Sequence, residues 1–341
     1  MKILYAIQGT GNGHLSRAKE IIPALMNRAQ VDIVISGTES QVSIPYEIKD
    51  TFKGISFAFG KNGGINYFKT LKQNNIFRIF REIRQCQVAE YDVVINDFEP
   101  ISAWACYFKG ATCISLSHQS ALLSKKVPKP KKTSSIGAFI LKNYAPAIKK
   151  YGFHFKSYDE TIFPAVIRKD IRKQTVKEKN YYTVYLPSYS EDRIIKILSN
   201  FKSVKWKVFS IQCTKAYQRK NVFVKPIKGK SFERSLAWSK GVICGAGFET
   251  PAEALFLKKK LLVVPMNGQY EQTYNAQSLK NLGVPVINKF HKKHISIIKQ
   301  WIATNTIVDL SFPDNTQHIV DRIITNHIIA TELSNEILQN I

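Results

Sequence analysis

The sequence predicts an α/β protein built from two doubly wound, Rossmann-like domains facing each other across a cleft. Three observations carry this expectation. Short β-branched and aliphatic runs alternate with helix-length amphipathic segments, the runs are nearly continuous in apolar residues, and the rhythm breaks off midway and restarts. Near-continuous apolar strands belong to parallel sheets covered on both faces.

In the first half, strands are expected at KILYAI (2–7), VDIVIS (31–36), DVVIND (92–97) and TCISLS (112–117). In the second they are expected at YTVYLP (182–187), WKVFSI (206–211), VFVKPI (222–227), GVICGA (241–246) and LLVVPM (261–266). Between the series lies PAVIRKDIRKQTVKEKN (164–180), highly charged and poor in aromatics, which reads as an exposed connection. The domains are therefore expected at 1–167 and 168–315. A terminal helix at 316–341 has the reach to pack back on the first of them.

At 341 residues and 44% hydrophobic content, the chain can build two packed cores. Cys86, Cys106, Cys113, Cys213 and Cys244 are odd in number, lie in mostly apolar runs and show no metal-ligand spacing. They read as buried, reduced thiols. The apolar run after Met1-Lys2 is too short for a signal peptide, and no uncharged 18-residue apolar stretch follows. A cytoplasmic protein is expected. The net charge of +25 favours polyanions in general, whether nucleic acid, an anionic membrane or a nucleotide diphosphate, and does not choose among them.

Directly after the first strand comes GTGNGHLSR (9–17), opening a helical pattern. Strand, glycine turn and helix form the context for an anion site at a helix start, with Gly11 and Gly13 allowing close backbone approach. The spacing is not the dinucleotide fingerprint, and Ser36-Gly37-Thr38 offers no acidic ribose ligand, so a nicotinamide site is disfavoured. His14 stands at the helix start, where the macrodipole disfavours imidazolium; a neutral ring there is a base or a turn-packing group. Arg17, one turn on, faces either the cleft as an anion contact or solvent. Asp97 or Glu99, after the DVVIND strand, supplies a second carboxylate, and His118 ends the next strand as a cleft or capping residue.

The densest signal is GVICGAGFETPAEALFLKKKLLVVPMNGQYEQTYNAQSLKNLGV (241–284). Gly245-Ala246-Gly247 ends a strand, Glu249 or Thr250 is placed to cap a helix beginning near Pro251, and that helix start suits a diphosphate. Glu253, one turn in, points inward to accept ribose hydroxyls or outward to solvent. Glu271, Gln272 and Asn275 follow a strand's carboxyl end, where amides and carboxylates can fork onto sugar hydroxyls. Ser188 and Ser190, after the first strand of this half, are further candidate phosphate contacts.

This segment closely resembles the donor motif of GT-B glycosyltransferases, in particular the group around the peptidoglycan N-acetylglucosaminyltransferase and the macrolide and plant-type transferases. Gly247, Thr250, Glu253, Pro265, Glu271, Gln272, Asn275 and Ala276 carry the likeness, and GTGNGHLSR resembles the family's acceptor loop. The resemblance implies a nucleotide-sugar donor, commonly uridine-linked, with phosphates on the 245–250 turn, ribose on Glu253 and sugar on Glu271 and Gln272. The plant-type histidine pair is replaced by Ile243-Cys244, and no glycine-rich first loop opens the second half. Inverting transfer with His14 or Asp97 as base is expected to need neither metal nor cofactor.

INYFKTLKQNNIFRIFREIR (65–84) places Ile76, Ile79, Phe80 and Ile83 on one helical face among Lys72, Arg78, Arg81 and Arg84, and KKVPKPKK (125–132) adds five lysines. Both suit an anionic membrane surface and a lipid-linked or glycan acceptor. Two rivals remain. A nucleotide-sugar epimerase of the same fold would need no acceptor, and a nucleic-acid-binding protein would use the +25 charge but lacks any recognised motif, so no specific nucleic acid is expected.

Overall fold

The computed structural model describes residues 1–37, 40, 42–55, 74–131 and 135–339, with side chains described through residue 327. Two parallel-dominated sheets organise it. The first contains β1 (Lys2–Gln8), β2 (Gln30–Ser36), β3 (Asp50–Phe52), β4 (Val93–Asp97), β5 (Cys113–Ser117), β6 (Lys149–His154) and β7 (Ile162–Pro164). They run in the order β3-β2-β1-β4-β5-β6-β7, all parallel. The second contains β8 (Lys179–Tyr185), β9 (Trp206–Ser210), β10 (Tyr217–Arg219), β11 (Val222–Pro226), β12 (Ser239–Gly245) and β13 (Lys260–Val264). Its order is β10-β11-β9-β8-β12-β13, with only the β10–β11 edge pair antiparallel.

Helices α1 (Asn12–Met26), α2 (Ile76–Gln85), α3 (Pro100–Lys109), α4 (His118–Leu123), α5 (Ser135–Asn143) and α6 (Lys169–Arg172) accompany the first sheet. The second has α7 (Glu191–Leu198), α8 (Gly229–Trp238), α9 (Glu249–Phe256), α10 (Tyr270–Asn281) and α11 (Ile295–Ala303), followed by α12 (Thr316–Gln339). Glycine 110 stops α3 in the left-handed conformation, where a side chain would be strained.

Each sheet reverses its winding once, between β1 and β4 and between β8 and β12. Open α/β sheets bind ligands outside the carboxyl ends of the strands at such switch points. That rule places residues 8–14 and 97–99 on one side of the cleft and 245–250 on the other. Ile3, Tyr5 and Ile7 of β1 lie in one continuous buried cluster with Phe155, Ile171, Phe248 and Ala252, so apolar packing runs without a break from one domain into the next.

Several expectations meet a different arrangement. The 164–180 stretch is not simply an exposed connection: Ile167 and Ile171 are buried, and Arg168 is ion-paired. Apolar residues spaced among the charges anchor it. α12 lies along α1, burying Ile319, Val320 and Ile323, with Gln317 bonded to Asn27 and to the Ala24 carbonyl. In α2 only Ile83 of the four expected apolar residues is fully buried, while Ile76 and Phe80 are exposed and Glu82 is buried in their place. Glu82 turns inward because it accepts from the backbone of Lys53 and Gly54 and pairs with Arg78. Residues 65–73, including Lys72, and Thr38 and Lys132 lie outside the described residues. All five cysteines are buried and unpaired.

Candidate active site

The loop that follows β1 is shaped by close packing. The Gly9 amide donates to the Ser36 carbonyl at 2.6 Å, and an added Cβ at Gly9 would stand 2.5 Å from the Gly37 carbonyl oxygen, so only glycine fits. α1 then begins at Asn12 with Gly11 as its uncapped N-terminal neighbour. This start aims His14 at the end of β4, and His14 Nδ1 lies 2.9 Å from Asp97 Oδ1. Asp97 is fully buried and also accepts from Arg17, whose Nη2 donates to Oδ1 at 2.7 Å and to Oδ2 at 2.8 Å. Burial alone would raise the Asp97 carboxyl, but Arg17 and His14 overcome it and hold the group below the usual carboxylate range. An ionised Asp97 fixes the proton on His14 Nδ1. Nε2 is left as an acceptor toward the cleft, 3.4 Å from the Gln119 amide nitrogen.

Across the cleft, β12 ends at Gly245 and α9 begins at Glu249. The helix starts earlier than the sequence suggested, with Phe248 as N-cap and no side-chain cap from Glu249 or Thr250. Gly247 has open space where a Cβ would be and lines a cavity of about 300 Å³. Gln8, Gly11, Gly13, His14, Arg17 and Gln119 line it from the first domain; Glu249, Glu271 and Gln272 line it from the second. Of the expected residues the cavity brings together Gly11, Gly13, His14, Arg17 and His118 with Gly247, Glu271 and Gln272, whereas Asp97, Gly245, Ala246, Thr250, Glu253 and Asn275 are not part of its lining.

Four expected roles change. Arg17 is 3% exposed and spent on Asp97 and on Glu249 Oε1, 2.7 Å from Nη1, so it is not a free anion contact. Glu99 is no rival base: it caps α3, accepting from the Ile101 and Ser102 amides at 2.6 and 2.7 Å. Of the two roles expected for His118, capping falls to Ser117, while the His118 ring lines the cavity. Its ring stacks on Phe248 at 3.8 Å, with Nδ1 on the Phe153 carbonyl and Nε2 on Asn275 Oδ1. Burial pushes this imidazole down to about 4. Asn275, fully buried, also donates to the Ala246 carbonyl, so it and His118 join the domains.

Glu253 is buried outside the cavity lining, gripped by Arg168 through Nε at 2.6 Å and Nη2 at 3.0 Å. Arg168 also reaches Glu233 at 2.9 Å, and these carboxylates outweigh the effect of burial to raise its guanidinium above the ordinary value. Gln272 Oε1 accepts from the Met266 amide, and Glu271 accepts from Gln119 Nε2 at 3.0 Å. Burial, only partly offset by His14 and Gln119, raises the Glu271 carboxyl. Ser188 and Ser190 are exposed and stand apart from the cavity.

Sequence reasoning missed Arg168, Gln8, Gln119 and the cleft-crossing direction of Glu249. Arg168 carries no local signal beyond its place after the apolar Ala165-Val166-Ile167. Gln119 follows a strand end at the ligand edge, which is signal enough to have included it. Among the described residues no group of three or more His, Cys, Asp or Glu is arranged to hold a metal.

Two parallel α/β domains meeting at their switch points define the GT-B architecture. Solved structures share it: an Acinetobacter baumannii MurG at 16% identity (TM-score 0.59, covering 95% of this chain and 99% of that one), and the glycotransferase of kitacinnamycin at 13% (0.57, 94% and 98%). A UDP-N-acetylglucosamine 2-epimerase is similar too, at 10% identity (0.55, 96% and 96%). The curated proteins give no match. The sequence profile of glycosyl transferase family 1 matches residues 1–304, and the chain belongs to that family. It is a glycosyltransferase.

Proposed function

We propose that this enzyme moves a sugar from a nucleotide diphosphate, uridine being the expected base, to an acceptor hydroxyl with inversion at the anomeric carbon. The observation that carries the reading is the His14–Asp97 pair, 2.9 Å apart, opening into a cavity whose far wall is the start of α9. The acceptor oxygen attacks the anomeric carbon and gives its proton to His14 Nε2, while Asp97 stabilises the imidazolium. The sugar–phosphate bond breaks, and the leaving diphosphate gathers charge against the amides and macrodipole of α9 near Gly247–Thr250. Glu271 and Gln272 hold the sugar and Glu253 the ribose. This scheme asks nothing of a metal.

A lipid-linked acceptor is the favoured refinement. α2 and α3 pack side by side and expose Ile76, Phe77 and Phe80 together with Tyr107 and Phe108, near Arg81, Arg84 and Lys109. Apolar side chains ringed by cations suit the interface of an anionic bilayer. Lys125, Lys126, Lys129 and Lys131 are exposed as well. No described helix is long and apolar enough to cross a membrane, so the contact would be peripheral, on the inner face.

The epimerase reading keeps a place because the similar fold of one epimerase cannot be separated from transfer by architecture. A thermal-shift screen of nucleotide diphosphates and their sugars identifies the donor, since a specific ligand stabilises by mass action. Product analysis then decides: a glycoside of inverted anomeric configuration is expected, whereas donor turnover without any acceptor would favour the epimerase.

A further inference from the structure

One acidic side chain crosses the cleft without a part in the transfer scheme. Glu249 is the first residue of α9, yet its carboxylate lies in the other domain: Oε1 accepts from Arg17 Nη1 at 2.7 Å, and an added Cβ at Gly13 would stand 2.5 Å from Oε2. Gly13 leaves the space that this carboxylate fills. Arg17 spends its remaining nitrogens on Asp97, and Asp97 holds His14. A chain of alternating charge, Glu249–Arg17–Asp97–His14, therefore runs from the donor domain to the base.

The order of charges has a consequence for proton transfer. Asp97 favours imidazolium, while Arg17 beside it opposes imidazolium and draws off part of the carboxylate's field. A second anion on Arg17 cancels that opposition. We infer that Glu249 is a positioning residue that, by holding Arg17 across the cleft, raises the proton affinity of His14 so that the base is strongest with the donor domain seated. This rests on the reading of His14 as base.

Other groups share the neighbourhood. Glu271 approaches His14 from α10, and Tyr5 of β1 sits beside Asp97 and Arg17; Gln119 of α4 is neutral. Of the two second-domain carboxylates, Glu271 is held by Gln119, and Glu249 touches Arg17. Glu271 also lies within the fields of His14 and Arg17, but direct hydrogen-bonded coupling through Arg17 belongs to Glu249.

The test is an NMR titration of the His14 imidazole in the full chain, assigned against His14→Ala, for wild type, Glu249→Gln, Glu249→Asp and Gly13→Ala, with kcat and donor KM measured across the same pH range. Glu249→Gln is expected to lower the His14 midpoint, and kcat at its plateau by about two- to fourfold, with KM little changed. Glu249→Asp should fall between. Gly13→Ala keeps the charge but displaces it from Arg17, so it should move the midpoint in the same direction even if Glu249→Gln folds poorly. An unmoved midpoint in both Glu249→Gln and Gly13→Ala overturns the inference. So does a rise in KM at unchanged kcat, which would make Glu249 a substrate contact. If the midpoint moves as expected while His14→Ala turns over like wild type, the base assignment is what fails.

Discussion

On the first-domain side of the cleft, the reactive group is already aimed: Asp97 fixes His14, and Arg17 fixes Asp97, all inside one domain. On the second-domain side, the residues resembling donor ligands are largely occupied by partners from elsewhere, Glu253 by Arg168, Asn275 by His118, Glu271 by Gln119. In the proposed scheme one side is aligned before the donor arrives, and the other exchanges partners to receive it. Preorganisation belongs where charge develops in the transition state.

The sharpest break in this comparison is on the aimed side. Asp97→Asn should leave the donor bound but present the wrong imidazole tautomer, lowering kcat about 10²–10⁴-fold in steady-state assays. On the occupied side, Arg168→Ala strips the buried Glu253 and Glu233 of their shared cation. A loss of about 2–4 kcal/mol is expected from denaturant midpoints, below the full range for buried pairs because Arg168 keeps some water contact.

The seam between the two sides should respond to pH. Burial holds the His118 imidazole down near 4 in the folded chain, against an ordinary value of 6.5, and pushes its neighbour His154 down too. Between those values the unfolded chain binds more protons, so stability is full above about pH 6.5 and falls as pH drops toward 4. Unfolding at pH 5 should show about 2 kcal/mol less stability from His118 than at pH 7, and His118→Gln should flatten that slope. The smallest effect concerns the outer surface. Phe77→Asp with Phe80→Asp should abolish flotation with anionic vesicles at unchanged turnover on a soluble acceptor; undiminished flotation would remove the membrane refinement.

How much of this could be read from the chain follows from where each signal is local. The long apolar strands and the two glycine turns announce themselves, because strand periodicity and turn chemistry are short-range. β3, β6, β7 and β10 were not anticipated: Asp50–Phe52, Ile162–Pro164 and Tyr217–Arg219 are three residues each, and β6 opens with Lys149 and Lys150 exposed. His14 and Asp97 stand at the carboxyl ends of two strands far apart in the chain, and the sheet order makes them meet because β1 and β4 are parallel neighbours. Arg17 illustrates what spacing omits. One turn after His14, it could have faced water or cleft, and only the burial of Asp97 turns it inward. Arg168 and Glu253, 85 residues apart, form a pair that no local pattern announces.

The most direct test of sugar transfer on this site pairs two readings of His14→Ala. Calorimetry with the nucleotide-sugar donor should give the wild-type affinity, because in the proposed scheme the ring meets the acceptor oxygen rather than the nucleotide. Turnover measured in the same preparation should fall about 10²–10⁴-fold. Wild-type turnover with the donor bound as before would contradict the account.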